Sequence, residues 1–173
     1  MKLTRQQYID SIADAAIKST QGTKLFPSVL IAQAILESGD GNSSLSRPPH
    51  NNHFGIKATS SWKGARVYKS TREYLNGKWV VVNEPFRAYP NTVASLKDRN
   101  KLFNLNRYKK VHEATTPEEQ AKAIHDAGYA TAPTYASSLV SLIERYNLKK
   151  YDQKKSVVTC PHCLQLLELS VVS

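Results

Sequence analysis

The chain has 173 residues, 40% of them hydrophobic, which is enough for one domain with its own core and leaves no room for a second full-sized one. Its 24 Lys and Arg against 14 Asp and Glu give a formal charge of +10, suited to adsorption on a polyanion such as nucleic acid or a bacterial envelope. The pattern excludes a membrane-spanning segment, and no basic start followed by a long apolar run marks a secretory leader.

In chain order, Thr4 and Gln7 have capping-box spacing, and Ile9, Ile12, Ala13, Ala16 and Ile17 recur at helical intervals, predicting a helix from about residue 5 to 19. A second helix starts near Pro27 and stops at Gly39. Its Val29, Leu30, Ile31, Ala32, Ala34, Ile35 and Leu36 make it apolar on nearly every side, the pattern of a buried helix. Residues 43–61, rich in Ser, Asn, Pro and Gly and including Pro48-Pro49, form a long functional loop rather than a linker. The period then changes to that of strands at 66–75 and 78–82, joined by Asn76-Gly77, the strongest two-residue hairpin signal. Helices resume at 92–105, at 117–127 with a capping box of Thr116 and Glu119, and at 135–146 with Leu139, Leu142, Ile143 and Tyr146 on one stripe. These elements make a mostly α, α+β domain.

One carboxylate stands out. Glu37 lies in the last turn of the apolar second helix, where the negative end of the helix dipole and apolar surroundings both disfavour its ionised form. A carboxylic acid still protonated near neutral pH can hand a proton to a leaving oxygen, as glycosidic cleavage requires. The plainer reading is a solvated glutamate that ends a helix. A glycan groove also needs aromatic platforms for sugar C–H faces, and Trp62, Tyr68, Trp79, Tyr89, Tyr129 and Tyr135 are available for that or for core packing. Six basic residues between 57 and 78 (Lys57, Lys63, Arg66, Lys69, Arg72 and Lys78) surround a single acid, Glu73, either as a solvated face or as an attractor for a polyanionic wall. No nucleic-acid recognition motif accompanies the charge, so no nucleic-acid partner is expected.

The stretches Glu37-Ser38-Gly39, Gly41-Asn42-Ser43 and Asn51-Asn52-His53-Phe54-Gly55-Ile56-Lys57 resemble the signature of the endo-β-N-acetylglucosaminidase family that includes flagellar muramidases and bacterial and phage autolysins. Pro85-Phe86-Arg87-Ala88-Tyr89 resembles that family's segment after its β-hairpin. Gly128 to Ala136 resembles its late tyrosine motif, with Ala132 where members usually carry an acid. The resemblance extends from the first helix to Leu148, so residues 1–150 are taken as the catalytic domain and 151–173 as a basic linker and tail.

The resemblance implies a lysozyme-like helical body with a β-hairpin lobe over a substrate groove, and hydrolysis of peptidoglycan β-1,4 bonds without a cofactor. In that scheme Glu37 is the acid and Glu73, just before the hairpin turn, is base or electrostatic support. Tyr129 supplies a hydroxyl that orients the N-acetyl group or water, Tyr135 is a supporting wall, Asn52 and Phe54 shape the groove floor, and Trp62 meets the sugar. Taken without the family, Glu73 reads as a strand acid paired with Arg72 or Lys78, and Glu84, Asp40 and Asp98 are the fallback carboxylates. A lytic transglycosylase using Glu37 alone and a non-catalytic wall-binding or tail module are the alternatives. The expected partner is the glycan strand, met by a monomer on the cell wall without membrane insertion and reached by lysis, a phage pore or tail, or dedicated secretion. In the tail, Cys160-Pro161-His162-Cys163 has the spacing of half a zinc site. The chain holds no other cysteine, so no metal is expected, with Cys160 and Cys163 the candidate ligands if one binds. A reduced pair, an easily oxidised pair or a remnant of a longer ribbon are equally open there.

Overall fold

The computed structural model describes residues 2–75, 77–153, 156–159 and 166–169, with the backbone alone at 73–75 and in the last two stretches. Thr4 opens helix α1 (Arg5–Thr20) with the expected reciprocal cap, its Oγ accepting from Gln7 N–H at 3.3 Å while its own N–H donates to Gln7 Oε1 at 2.9 Å. Helix α2 (Pro27–Ser38) is the centre of the molecule. Val29, Leu30, Ile31, Ala32 and Ala34 on it are wholly inaccessible, and α1 and the later helices pack around it. A buried Leu or Ile of this kind stabilises the fold by about 2 kcal/mol, so the apolar run, broken between Val29 and Leu36 by Gln33 alone, is what makes α2 the core.

The N-terminus of α2 carries Pro27 and has no side-chain cap from the preceding Phe26. Its cap comes from Asp152, whose carboxylate accepts from Ser28 N–H at 2.8 Å and from Ser28 Oγ at 2.6 Å. A carboxylate at a helix N-terminus is doubly placed, for orphan donors and for the dipole. It also ties the far end of the body to its central helix.

Strands β1 (Arg66–Leu75) and β2 (Lys78–Arg87) pair antiparallel, from Arg66 opposite Arg87 to Leu75 opposite Lys78. That closing pair leaves a two-residue turn, and Gly77 adopts the left-handed φ of +78° that such a turn demands. β2 runs five residues further than the expected end at 82, so Pro85-Phe86-Arg87 is part of the hairpin and not a segment after it. The cause is a third, partial strand: Ala58 N–H donates to Pro85 C=O at 2.8 Å and Arg87 N–H to Ile56 C=O at 2.9 Å. A residue's N–H and C=O point to the same side of an antiparallel strand, so the missing N–H of Pro85 faces this loop and the β1 ladder loses nothing.

Helix α3 (Thr92–Leu102), capped by Asn91 Oδ1 on Ala94 N–H, stops three residues short of the expected 105, and the chain continues as a 3-10 turn at Asn106–His112. Phe103 and Tyr108 on either side of that break are fully buried with ring centroids 4.9 Å apart, so packing of the two rings fixes the change of direction. Helix α4 (Pro117–Asp126) has the expected capping box of Thr116 and Glu119. Helix α5 (Tyr135–Arg145) buries Leu139 and Ile143 completely and leads into a 3-10 turn at Leu148–Tyr151. Two short strands, β3 (Ser156–Thr159) and β4 (Leu166–Leu169), pair antiparallel with each other. Cys160 and Cys163 lie outside the described residues. Among the described residues, no helix is long and apolar enough to cross a membrane.

The 43–61 loop is held from inside. Asn52 is 1% exposed and spends its amide N–H groups on Ile56 C=O at 3.0 Å and Arg87 C=O at 2.8 Å, while its Oδ1 accepts from Ile56 N–H at 3.0 Å. His53 is buried between Tyr8, whose Oη lies 2.8 Å from Nδ1, and Thr92. Burial lowers the His53 pKa from 6.5 to about 4, so the folded state holds it neutral where the unfolded chain would take up a proton. Stability from this group is complete above pH 6.5 and is lost as pH falls towards 4. The melting temperature is expected to fall over that window, and His53→Gln is expected to flatten the fall; an equal slope in the variant would contradict this role.

Candidate active site

Glu37 sits at the last turn of α2, and the chain leaves that turn through three successive left-handed residues, Gly39, Asp40 and Gly41, with φ of 57°, 60° and 70°. Gly41 is obligatory twice over, since a Cβ there would also lie 2.5 Å from the Tyr8 ring. Ser38 Oγ accepts from Gly41 N–H at 2.7 Å and donates to Ala34 C=O at 2.5 Å, and Asp40 is drawn to Arg5 at 2.7 Å. The glycines that mark the motif in the sequence thus build a tight, tethered helix end that holds Glu37 in place.

Glu37 itself is exposed, not buried as expected, because α2 emerges from the core at this turn. Its carboxyl is nonetheless crowded by protein, and that desolvation raises its pKa above the usual 4.5 against the opposing pull of a hydrogen bond. That bond comes from Tyr135 Oη, which donates to Glu37 Oε1 at 2.8 Å. An open concavity of about 660 Å³ lies beside this helix end, walled by Leu36 and Gly39 of the α2 end and by Ser137, Ser138, Ser141 and Leu142 of α5, and neither Glu37 nor Tyr135 is part of its wall.

Behind this pair stands a layer of polar and aromatic groups. Gln33, one helical turn before Glu37 and fully buried, donates Nε2–H to Tyr135 Oη at 2.8 Å, and its Oε1 accepts from Arg99 on α3. Arg99 is wholly buried, and its guanidinium lies 4.1 Å over the Phe103 ring. Burial lowers its pKa to about 10, and it stays a cation at neutral pH. Tyr129 stacks obliquely on Tyr135 at 5.8 Å and edge-on to Phe103 at 6.1 Å. Its hydroxyl pKa is raised, first by burial and then by the charge of Glu37.

The structure brings together Glu37, Tyr135 and Tyr129: Tyr135, expected as a wall, also donates its hydroxyl to Glu37, and Tyr129 packs against the Tyr135 ring. Asn52 and Phe54 do not reach a groove surface, since both are buried and Asn52 has every amide atom engaged in the loop. Trp62 is half-buried at the base of the hairpin, edge-on to Tyr89 at 5.7 Å, with the Arg87 guanidinium 4.6 Å over its ring and its indole N–H on Ala65 C=O at 2.9 Å. The fallback carboxylates are all occupied: Asp40 by Arg5, Glu84 by Lys57 at 3.2 Å, and Asp98 by Arg87 at 2.6 Å and Tyr89 Oη at 2.8 Å. Glu73 pairs through its backbone with Val80, and its side chain lies outside the described residues. Sequence reasoning missed Gln33 and Arg99. The first had a signal, a lone amide in an otherwise apolar helix one turn before the key carboxylate. The second had none, because an arginine on a helix normally reads as solvated surface.

Residues 13–148 match the glucosaminidase family, described as mannosyl-glycoprotein endo-beta-N-acetylglucosaminidase. The chain is 41% identical over 161 residues to a probable N-acetylmuramidase of Lactococcus lactis subsp. lactis, covering 89% of this chain and 36% of that protein. It is 38% identical over 155 residues to exo-glucosaminidase LytG of Bacillus subtilis, covering 86% of this chain and 54% of that protein. Thus the chain spans only about a third to a half of the length of these curated relatives. Its fold is that of the catalytic domain of the autolysin Auto from Listeria monocytogenes, with a TM-score of 0.79 and 37% identity over 88% of this chain and 91% of that one. A glycoside hydrolase domain of FlgJ from Salmonella typhimurium superposes with a TM-score of 0.72 at 36% identity, over 83% of this chain and 98% of that one. With 136 consecutive residues matched and the helical body and hairpin shared with solved glycoside hydrolase domains, the chain belongs to the glucosaminidase family.

Proposed function

We propose that the chain is a peptidoglycan hydrolase, an endo-β-N-acetylglucosaminidase that cleaves the β-1,4 bond on the reducing side of N-acetylglucosamine in the bacterial cell wall. The observation that carries this reading is an accessible glutamate with a raised pKa, fixed at a helix end and hydrogen-bonded by Tyr135, in a chain of this family. Glu37 gives its proton to the glycosidic oxygen as the C1–O bond breaks, and positive charge develops on the ring. Glu73 supports that charge or takes a proton from the attacking water, and the N-acetyl oxygen of the substrate can assist in its place. The formal charge of +10 draws the domain to the anionic envelope.

A second reading has an observation of its own. Asp40, Glu84 and Asp98 are each bound to a cation, which leaves Glu37 as the accessible acid of the described site and favours a lytic transglycosylase in which a muramic acid hydroxyl attacks intramolecularly. Mass analysis of the muropeptides released from purified wall separates the two. Hydrolysis on the reducing side of N-acetylglucosamine leaves that sugar as a free reducing end, whereas the transglycosylase leaves 1,6-anhydromuramic ends. Reducing ends on muramic acid would show muramidase specificity, and wall binding without any release would leave a non-catalytic module. Glu73→Gln is expected to lose less activity than Glu37→Gln, about tenfold, given substrate assistance. An unchanged rate would remove Glu73 from the mechanism.

A further inference from the structure

The polar chain behind Glu37 has a direction, and Arg99 sets it. Arg99 donates Nη1–H to Asn100 Oδ1 at 3.0 Å and Nη2–H to Gln33 Oε1, while its Nε has no partner. No carboxylate among the described residues neutralises it. A desolvated guanidinium with an orphaned donor is a costly thing to keep in a core, and an apolar side chain of similar size would pack there without that cost.

Donor and acceptor counting shows what the cation achieves. A guanidinium can only donate, so Gln33 must turn its carbonyl oxygen towards Arg99 and its NH₂ towards Tyr135. Tyr135 Oη receives that N–H, which leaves its single hydrogen to be donated to Glu37 Oε1. Oε1 is thereby held as an acceptor, and the carboxylic proton of Glu37 is confined to Oε2, the oxygen that Tyr135 does not touch. With the amide reversed, Tyr135 would donate to Gln33 instead, and the proton could settle on Oε1 in a bond to the tyrosine, withheld from the substrate.

We infer that Arg99 is a positioning residue for the proton donor: acting through Gln33 and Tyr135, it determines which oxygen of Glu37 carries the proton delivered to the leaving group. This rests on the reading of Glu37 as the acid. Four variants test it by kcat, KM and melting temperature on soluble glycan fragments. In Gln33→Glu the new carboxylate only accepts, so it takes hydrogens from both Arg99 and Tyr135. The core stays satisfied and Glu37 loses its donor. The expected result is a melting temperature at or above wild type, kcat lowered about tenfold or more, and KM little changed. Arg99→Met is expected to give a similar kcat loss, and Arg99→Lys, which restores a cation that only donates, is expected to recover most of it. A folded Gln33→Glu variant with wild-type kcat, or equal rates for the Met and Lys variants at position 99, would overturn the inference. Glu37→Gln, assayed alongside, separates the two failures: full activity there refutes the acid itself, whereas its inactivity beside wild-type rates at positions 33 and 99 refutes only the relay.

Discussion

Glu37→Gln is expected to lower wall hydrolysis by about 10²- to 10⁴-fold, the usual contribution of a positioned general acid. The amide has no proton to give at neutral pH, yet it keeps the length and shape of the side chain, and its oxygen still accepts from Tyr135 Oη where Oε1 does now. Because Glu37 is exposed and makes no ion pair among the described residues, the substitution is expected to leave stability within about 0.5 kcal/mol of wild type. The comparison is therefore clean: a circular-dichroism melt like that of the parent, and turbidity clearance of wall suspensions near background. A variant that clears wall at the parental rate would refute Glu37 as the proton donor.

Tyr135→Phe has the second-largest expected effect, and it is diagnostic through pH. The phenol is 5% exposed, accepts from Gln33 and donates to Glu37, so its loss leaves the Gln33 amide unpaired in the core and costs about 1–3 kcal/mol of stability. The hydrogen bond also favours the ionised carboxylate, so removing it raises the Glu37 pKa further. Since the protonated form is the active one, kcat/KM falls as pH rises through that pKa, and the alkaline limb of the variant is expected to lie at higher pH than in the parent. The plateau on the acid side is expected to drop about tenfold, because the carboxyl is no longer held in one orientation. A limb that stays put or moves to lower pH would show that Tyr135 does not act on Glu37.

What the sequence discloses and what it hides follow a physical division. Local signals were legible: the caps at Thr4 and Thr116, the apolar run of α2, and the Asn76-Gly77 turn lead to the observed helices and hairpin because each depends on residues within one or two turns. Features that depend on distant partners were not. The extra length of β2 comes from pairing with residues 56–58, and the cap of α2 arrives from Asp152, 124 residues away. The site divides the same way. Its carboxylate was visible because a helix stop follows it. Its exposure was not visible, because periodicity cannot tell where a buried helix surfaces. The choice between Tyr129 and Tyr135 as the contacting hydroxyl turns on how α5 begins, since Tyr135 is its first residue and points back towards the end of α2.

Proton donation requires that Glu37 hold its proton at pH values where an ordinary glutamate has lost it. The most direct measurement is an NMR titration of the Glu37 side-chain carboxyl carbon in the intact chain. The expected midpoint lies above 4.5 and coincides with the alkaline limb of kcat/KM. A midpoint at or below 4.5, or one unrelated to the activity profile, would contradict it.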